Sequence, residues 1–326
     1  MTYHVLVPDN VHPSALDVLN NAEGLQITAP GQMKRDELLA ALPTADALII
    51  RSASKIDAEA LAAATKLRMI ARAGVGVDNV DIPVATQRGI VVMNTPDGNT
   101  VSTAEMTFGL MLALARNIPQ AHASLASGKW DRKSFGGVEL RGKTLGVVGF
   151  GRIGRAVAKR ALAFEMTVLA YDPYIPADVA ADLGVELVDL DTIYRNADFI
   201  SLHAVLTDET RDMVNTATIA RMKDGVRIVD AARGALINEA DLAEAIKSGK
   251  VAGAALDVYP TEPPPADDPL IGLPNVIHTP HLAASTEDAQ IVVAVDAAKL
   301  VVDALLNGKY ANMVNPDVLK IKHEAF

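Results

Sequence analysis

The sequence predicts an α/β fold built from two doubly wound parallel sheets, and three observations predict it. Short β-rich runs alternate with helical ones along most of the chain, the pattern left by parallel strands joined through covering helices. At 326 residues the chain exceeds what a single core usually organises, so two domains are expected. A glycine-rich strand-to-helix turn opens only at Gly149, so a separate α/β unit precedes it.

The first series reads as strand at Val5-Leu6-Val7, a helix after Pro13, strand at Leu25-Gln26-Ile27, a helix near Arg35–Ala41 and strand at Ala47-Leu48-Ile49-Ile50. A helix near Ala58–Ala64 and strands at Arg68-Met69-Ile70-Ala71 and Ile90-Val91-Val92 complete it. The turn-rich Asn94-Thr95-Pro96-Asp97-Gly98-Asn99 suits a hinge and leads into a long apolar helix, Thr100 to Arg116. The face Met106–Leu114 of that helix suits core or dimer packing. Gly128-Lys129-Trp130-Asp131-Arg132-Lys133 reads as a solvated turn with a packed tryptophan. A second alternating series runs from Leu145 to Ile277, and a last long helix, about Thr286–Leu306, follows it. The tail is too short for a third domain and is expected to cross back onto the first unit. The expected division is 1–97 plus 286–326 for one discontinuous domain and 98–285 for the other.

Between the apolar strand Thr144–Val148 and a helix from Arg155, Gly149-Phe150-Gly151-Arg152-Ile153-Gly154 forms a GxGxxG turn in a strand-to-helix setting, a site for a dinucleotide pyrophosphate. Gly149 permits the tight turn, Gly151 lets the backbone approach the phosphates, and Gly154 lets helix and strand pack closely. A second strand, Thr167–Tyr171, ends at Asp172, eighteen residues past Gly154, where a carboxylate binds an adenosine ribose. Asp172 would repel a ribose 2′-phosphate, and Pro173 and Tyr174 supply no offsetting cation, so the expected cofactor is NAD rather than NADP.

Composition narrows the partners. A formal charge of −10 disfavours nucleic acid or an anionic membrane and gives an anionic substrate no long-range attraction, so any such substrate needs a local arginine cluster. There is no cysteine, which excludes disulfides, zinc thiolate sites and iron–sulfur clusters. The chain enters a strand at once without a basic leader or signal-like core, and the apolar run Ile291–Leu306 is broken by Asp296, Lys299 and Asp303, so neither export nor a membrane span is expected and a cytoplasmic location is.

Three further segments place polar residues just past strands, where α/β folds bind ligands. They are Arg227–Gly234, ending in Asp230-Ala231-Ala232-Arg233-Gly234; Ala254–Pro263, with Asp257 and Glu262; and Val276–Ser285, with His278 and His281. Together they supply what oxidation of a 2-hydroxy acid needs. His281 is the base for the hydroxyl proton, Glu262 fixes its tautomer, and the planar fork of Arg233 anchors the substrate carboxylate. His4, His12, His122, His203, His278 and His323 arrive without such companions and are read as ordinary histidines with no acid–base role. Pro263-Pro264-Pro265 is a stiff connector.

The Gly149–Gly154 turn, Ala231-Ala232-Arg233-Gly234, Asp257-Val258-Tyr259-Pro260-Thr261-Glu262-Pro263 and Thr279-Pro280-His281-Leu282-Ala283-Ala284-Ser285-Thr286 closely resemble the D-isomer-specific 2-hydroxyacid dehydrogenases. Within that family Ile50–Lys55, Arg72–Asp81 and Met93–Asn99 look most like the enzymes acting on 3-phosphoglycerate. The resemblance implies two Rossmann-like domains with the active-site cleft between them, and reversible hydride transfer between C2 of a D-2-hydroxy acid and NAD. It implies oxidation of 3-phosphoglycerate at the head of serine biosynthesis, with reduction of glyoxylate or hydroxypyruvate as the alternative and a non-catalytic NAD-sensing role as a third reading. Arg233, Glu262 and His281 match the family's catalytic residues, and Arg51, Arg72 and Asn99, with Arg233 and His281, match its substrate contacts. Cofactor contacts are implied at Val75, Gly149, Gly151, Arg152, Ile153, Gly154, Asp172, His203, Ala204, Ala231, Ala232, Arg233, Asp257, His281, Ala283 and Ala284, with Ala231 and Asp257 on the nicotinamide side. The resemblance also implies a homodimer formed through the cofactor domain and no resident metal. Ala235 and Ala283 depart from the family, whose members often have glycine there.

Overall fold

Nearly continuous apolar strands can be buried only if both faces of a sheet are covered, and the strands here are of that kind. The computed structural model describes residues 2–324, with side chains through Ile321; residues 1, 325 and 326 and the side chains of 322–324, His323 among them, lie outside the description. In chain order the first elements are β1 (Tyr3–Leu6), α1 (Ser14–Asn20), β2 (Leu25–Thr28), α2 (Arg35–Ala41), β3 (Ala47–Ile50), α3 (Ala58–Ala63), β4 (Met69–Arg72), α4 (Ile82–Gln87) and β5 (Val91–Asn94). The second set is α5 (Thr100–Arg116), α6 (Ile118–Ala126), β6 (Thr144–Val148), α7 (Arg152–Ala163), β7 (Thr167–Tyr171), α8 (Ala177–Ala181), β8 (Glu186–Leu187), α9 (Leu190–Asn196) and β9 (Phe199–Leu202). It continues through α10 (Thr216–Arg221), β10 (Val226–Asp230), α11 (Glu239–Lys247), β11 (Val251–Leu256) and β12 (Val276–His278), and the chain closes with α12 (Glu287–Asn307) and α13 (Val318–Glu324).

These elements form two compact units. One takes in the chain up to Asn99 together with everything from Thr286 onward; the other is Thr100–Ser285. The break falls two residues beyond the 97/98 boundary expected from sequence. The reason is local: Thr95 Oγ1 accepts the Gly74 N–H at 2.7 Å, and Gly98 packs so closely on Val293 of α12 that an added Cβ would lie 2.5 Å from its Cγ1. The turn therefore belongs with β4 and α12.

The discontinuous unit holds a parallel five-stranded sheet in the order β2-β1-β3-β4-β5. Alternation along β3 shows how both faces are filled. Ala47 and Ile49 enter a cluster with Ala15 and Leu19 of α1 and Val293, Ala297 and Val301 of α12, while Leu48 and Ile50 enter another with Leu38, Ala60, Leu61 and Ala85 of α2, α3 and α4. Thr286 caps α12 by accepting the Ala289 N–H, and Gly308 ends it in the left-handed region. The strand edge at β5 is covered by the C-terminal segment: Met93 bridges Met313 antiparallel, and Val314 N–H donates to Val92 O at 2.8 Å.

The unit Thr100–Ser285 holds a parallel seven-stranded sheet in the order β12-β11-β10-β9-β6-β7-β8. Val147, Phe199, Val229 and Ala255 face α5 and α7, and Val148, Ile200, Ile228 and Leu256 face α9, α10 and α11. Strand order reverses between β6 and β9, the switch point at which such sheets open a crevice at their C-terminal ends. Trp130, expected to be packed, is instead 79% exposed.

Asn315 takes the place of a neighbouring strand at the β5 edge. Buried itself, it accepts the Val92 N–H at 2.8 Å and donates to Ile90 O at 2.9 Å. Asn315→Ala leaves both backbone groups unpaired and is expected to destabilise this unit by about 2 kcal/mol. Urea unfolding with hydrogen exchange at Val92 checks this; unchanged protection there would contradict it.

Candidate active site

The GxGxxG turn sits at the switch point. Gly149 has φ +93°, and a Cβ there would lie 2.5 Å from the His203 carbonyl carbon and 2.7 Å from Ala204 N, so the turn after β6 lies directly on the segment after β9. A Cβ at Gly154 would lie 2.1 Å from Gly149 O, whereas one at Gly151, the N-cap of α7, would meet nothing within 4 Å. The turn is thus tight against protein at two glycines and open at the middle one, beside a helix N-terminus; this shape fits a dinucleotide pyrophosphate. Arg152 and Ile153 begin the helix.

Asp172 follows β7 and faces the same turn. Its Oδ2 accepts the Phe150 N–H at 2.8 Å and its Oδ1 the Tyr174 N–H at 2.9 Å. Each oxygen keeps lone-pair capacity for a ribose hydroxyl. His203 pairs its Nε2 with Ser201 Oγ at 2.8 Å, and desolvation lowers its pKa to about 4, so the ring is neutral at physiological pH. This agrees with its exclusion from acid–base chemistry, while its backbone forms one wall of the turn.

Strands β10, β11 and β12 are neighbours, so the segments that follow them emerge side by side. Arg233 comes from the first, Glu262 from the second and His281 from the third. Glu262 Oε2 lies 2.7 Å from His281 Nδ1. A neutral His281 facing a carboxylate carries its proton on Nδ1, which leaves the Nε2 lone pair as a base. Both side chains are open to solvent, at 48% and 39% exposure, so a substrate can reach them. Arg233 Nη1 donates to Ala232 O at 2.7 Å. Its loop is pinned at Gly234, where a Cβ would lie 2.3 Å from Tyr259 Cα and 2.1 Å from Tyr259 C.

His281 has φ +54°, a left-handed conformation that costs a non-glycine residue about 1 kcal/mol. Asp257 holds it there. Fully buried, Asp257 accepts from Thr279 Oγ1 at 2.6 Å and from the N–H groups of Leu282 and Ala283 at 2.8 Å each, while its carbonyl accepts the His281 N–H at 2.8 Å. Every hydrogen bond of its carboxylate thus goes to the His281 loop. The resemblance implies a place for this residue on the nicotinamide side; its hydrogen bonds anchor the His281 loop. Ala231 and Ala283 are buried, Ala232 and Ala284 partly so.

Asp230, which the sequence reading passed over, is also buried. Its carboxyl accepts the Ala232 N–H at 2.8 Å and the Arg233 N–H, shaping the arginine loop, while Oδ2 has no partner. Burial, aided by the nearby Asp257 carboxylate and opposed by Arg233, raises its pKa to about 7.

The remaining candidates lie on the discontinuous unit. Arg51 follows β3 at that sheet's own switch point, between β1 and β3. Its backbone N–H donates to Asp9 Oδ2 at 2.5 Å and its Nη1 to Asn10 O at 2.9 Å, and Asp9 also accepts from Ser54 Oγ at 2.6 Å. Asp9 was missed by the sequence reading; a lone acid just past the first strand was its signal. Arg72 ends β4, with Nη1 donating to Ala73 O at 3.1 Å; the Val75 carbonyl accepts from Asn94 Nδ2 at 2.6 Å; and Asn99 closes the 95–99 turn. The structure brings Arg51, Arg72 and Val75 to the C-terminal ends of neighbouring strands. Among the described residues no cluster of three metal-ligating side chains occurs, and no helix is long and apolar enough to cross a membrane.

The raised pKa of Asp230 has a stability consequence. Between the ordinary value of 3.8 and about 7 the folded chain holds a proton that the unfolded chain has lost, so this group's contribution falls as pH rises across that window and is gone above it. Asp230→Asn keeps an acceptor for the loop but cannot ionise. Its thermal midpoint relative to the parent should therefore be higher at pH 8 than at pH 5; a difference independent of pH would refute the neutral buried acid.

Comparison with known proteins gives the family. Residues 108–283 match the family described as D-isomer specific 2-hydroxyacid dehydrogenase, NAD binding domain. The D-3-phosphoglycerate dehydrogenase of Archaeoglobus fulgidus is 51% identical over 311 residues, covering 95% of this chain and 59% of the relative, so the chain spans about three fifths of that relative's length. The hydroxypyruvate reductase of Thermotoga maritima is 49% identical over 296 residues, covering 90% of this chain and 95% of the relative. Among solved structures, the TT0316 protein of Thermus thermophilus superposes with a TM-score of 0.86 at 37% identity, over 95% of this chain and 99% of that one. With the dinucleotide turn at the switch point and a histidine–glutamate pair beyond the neighbouring strands, this chain belongs to the D-isomer-specific 2-hydroxyacid dehydrogenase family and carries its NAD-binding domain.

Proposed function

We propose that the chain oxidises D-3-phosphoglycerate to 3-phosphohydroxypyruvate with NAD, the reaction that opens serine biosynthesis. The observation that carries the oxidoreductase reading is the 2.7 Å contact between His281 Nδ1 and Glu262 Oε2, solvent-open, in the unit that bears the dinucleotide turn. Bound NAD supplies the hydride acceptor. His281, whose Nδ1–H donates a hydrogen bond to Glu262, takes the C2 hydroxyl proton on Nε2 and returns it in the reverse direction. Arg233 receives the substrate carboxylate in a bidentate pair. The turn Gly149–Gly154, Asp172, the backbone at His203 and Ala204, and the residues Val75, Ala231, Ala232, Asp257, Ala283 and Ala284 hold the cofactor.

The choice of substrate turns on charge. Arg233 accounts for the one carboxylate that all 2-hydroxy acids share, and Arg51, Arg72 and Asn99 offer a second cationic and polar set suited to a phosphate. The discontinuous unit is accordingly read as the substrate domain. The phosphoglycerate dehydrogenase relatives favour the same substrate. A second reading, reduction of hydroxypyruvate or glyoxylate, is favoured by the Thermotoga maritima relative, which this chain matches over nearly its whole length. An absorbance assay at the nicotinamide band separates the two, with NAD and NADP cofactors in parallel. Phosphohydroxypyruvate with NADH should be reduced with higher kcat/KM than hydroxypyruvate or glyoxylate, and Arg51→Ala and Arg72→Ala should harm the phosphorylated substrate far more. His281→Ala should lose at least about a hundredfold in turnover. Preference for hydroxypyruvate would replace the first reading with the second.

We further propose a homodimer through the cofactor domain, working in the cytoplasm where NAD is supplied. Helix α6 buries none of its residues, and Ile118, Leu125 and Trp130 are each more than half exposed along it and just beyond it, an apolar face suited to a second copy. Sedimentation should give twice the chain mass, and Leu125→Glu with Trp130→Glu should halve it; a monomeric parent would sink this assignment.

A further inference from the structure

Tyr259 stands where the three catalytic segments meet. It is buried, and its backbone N–H donates to Glu262 Oε1 at 3.2 Å, on the carboxylate whose other oxygen holds His281. Its Cα and carbonyl carbon are the atoms against which Gly234 is packed, next to Arg233. Its ring hydroxyl lies 3.1 Å from His278 Nδ1, and the two rings stack with centroids 6.2 Å apart. His278 is the last residue of β12, three before His281. One residue therefore meets the glutamate loop and the arginine loop through its backbone and the strand that delivers the histidine through its side chain.

Resting on the dehydrogenase reading, we propose that Tyr259 is a positioning residue and that its hydroxyl, paired with His278, sets the distance between the Glu262 loop and the His281 loop. Asp257 ties the base of the His281 loop to the segment after β11, but the Glu262 side chain itself meets that loop only through its contact with His281, which lies open to solvent and so is held weakly. The tie is durable across the pH range of the chemistry. Burial, with the carboxylates of Asp268, Asp257, Glu239 and Glu262 around it, pushes the Tyr259 phenol up to about 12, so its hydrogen is retained. Burial holds His278 below the ordinary histidine value against a hydrogen bond with the Leu270 backbone and the pull of Asp268, which favours the neutral ring. A phenol and a neutral imidazole pair whichever ring nitrogen carries the proton.

The test removes the tie while keeping the packing. Tyr259→Phe and His278→Leu should each lower kcat about tenfold, a modest loosening on the scale at which an ångström of misplacement costs about a hundredfold. NAD affinity should stay within about twofold, and the double variant should be no slower than either single one. His278→Asn, which keeps a polar atom near the Nδ1 position, should retain most of the rate. The His281 tautomer, read from long-range proton–nitrogen NMR of its ring, should shift from Nδ1–H toward the commoner Nε2–H in Tyr259→Phe. Parent-like turnover in Tyr259→Phe, multiplying losses in the double variant, or an unchanged His281 tautomer would overturn the assignment. If the parent turns over no 2-hydroxy acid at all, the functional reading fails, and the tautomer measurement still decides the role of Tyr259.

Discussion

A buried carboxylate at the end of β11 organises the chemistry of the Thr100–Ser285 unit. Asp257 has no exposed surface and engages both carboxylate oxygens with one hydroxyl and two backbone N–H groups from the segment after β12. A buried acid left unpaired would be costly, so the loop is drawn to it and held. The left-handed backbone at His281 is the local expense of that arrangement, and it turns the imidazole toward Glu262. The side chain proposed as the base is thus placed by a buried carboxylate that meets only its loop.

The same economy recurs one strand away. Asp230 closes β10 as Asp257 follows β11, and its carboxyl shapes the turn that carries Arg233. The two acids face different tasks. Asp257 has donors for both oxygens, whereas Asp230 has an unpartnered oxygen and a raised pKa. Parallel strands end at one edge of the sheet, so each such acid anchors the loop next to its neighbour's, and the loops reinforce one another.

The two units repeat this logic at their switch points. Between β6 and β9 the chain puts a glycine turn whose middle residue is open and whose flanking glycines are wedged against protein. Between β1 and β3 it puts Asp9, which receives the Arg51 backbone and the Ser54 hydroxyl. One crevice is shaped for backbone approach to an anion, the other presents an arginine from a fixed backbone.

Legible in the residues alone were the alternation of strands and helices, the bounds of α5 at Thr100 and Arg116, the glycine turn and the three polar segments that carry Arg233, Glu262 and His281. All of these are encoded locally, in hydrophobic periodicity, in glycine spacing or in residues directly past a strand. Contacts between partners far apart in the chain were not legible there and came only with the fold. Asn315 completes the β5 edge at Ile90, 225 residues away; Asp257 reaches Ala283; and Tyr259 reaches His278. Trp130 lies open although its composition suggested packing. These contacts follow from which strands become neighbours, and strand order is a property of how crossovers fold back, which no local window of residues contains.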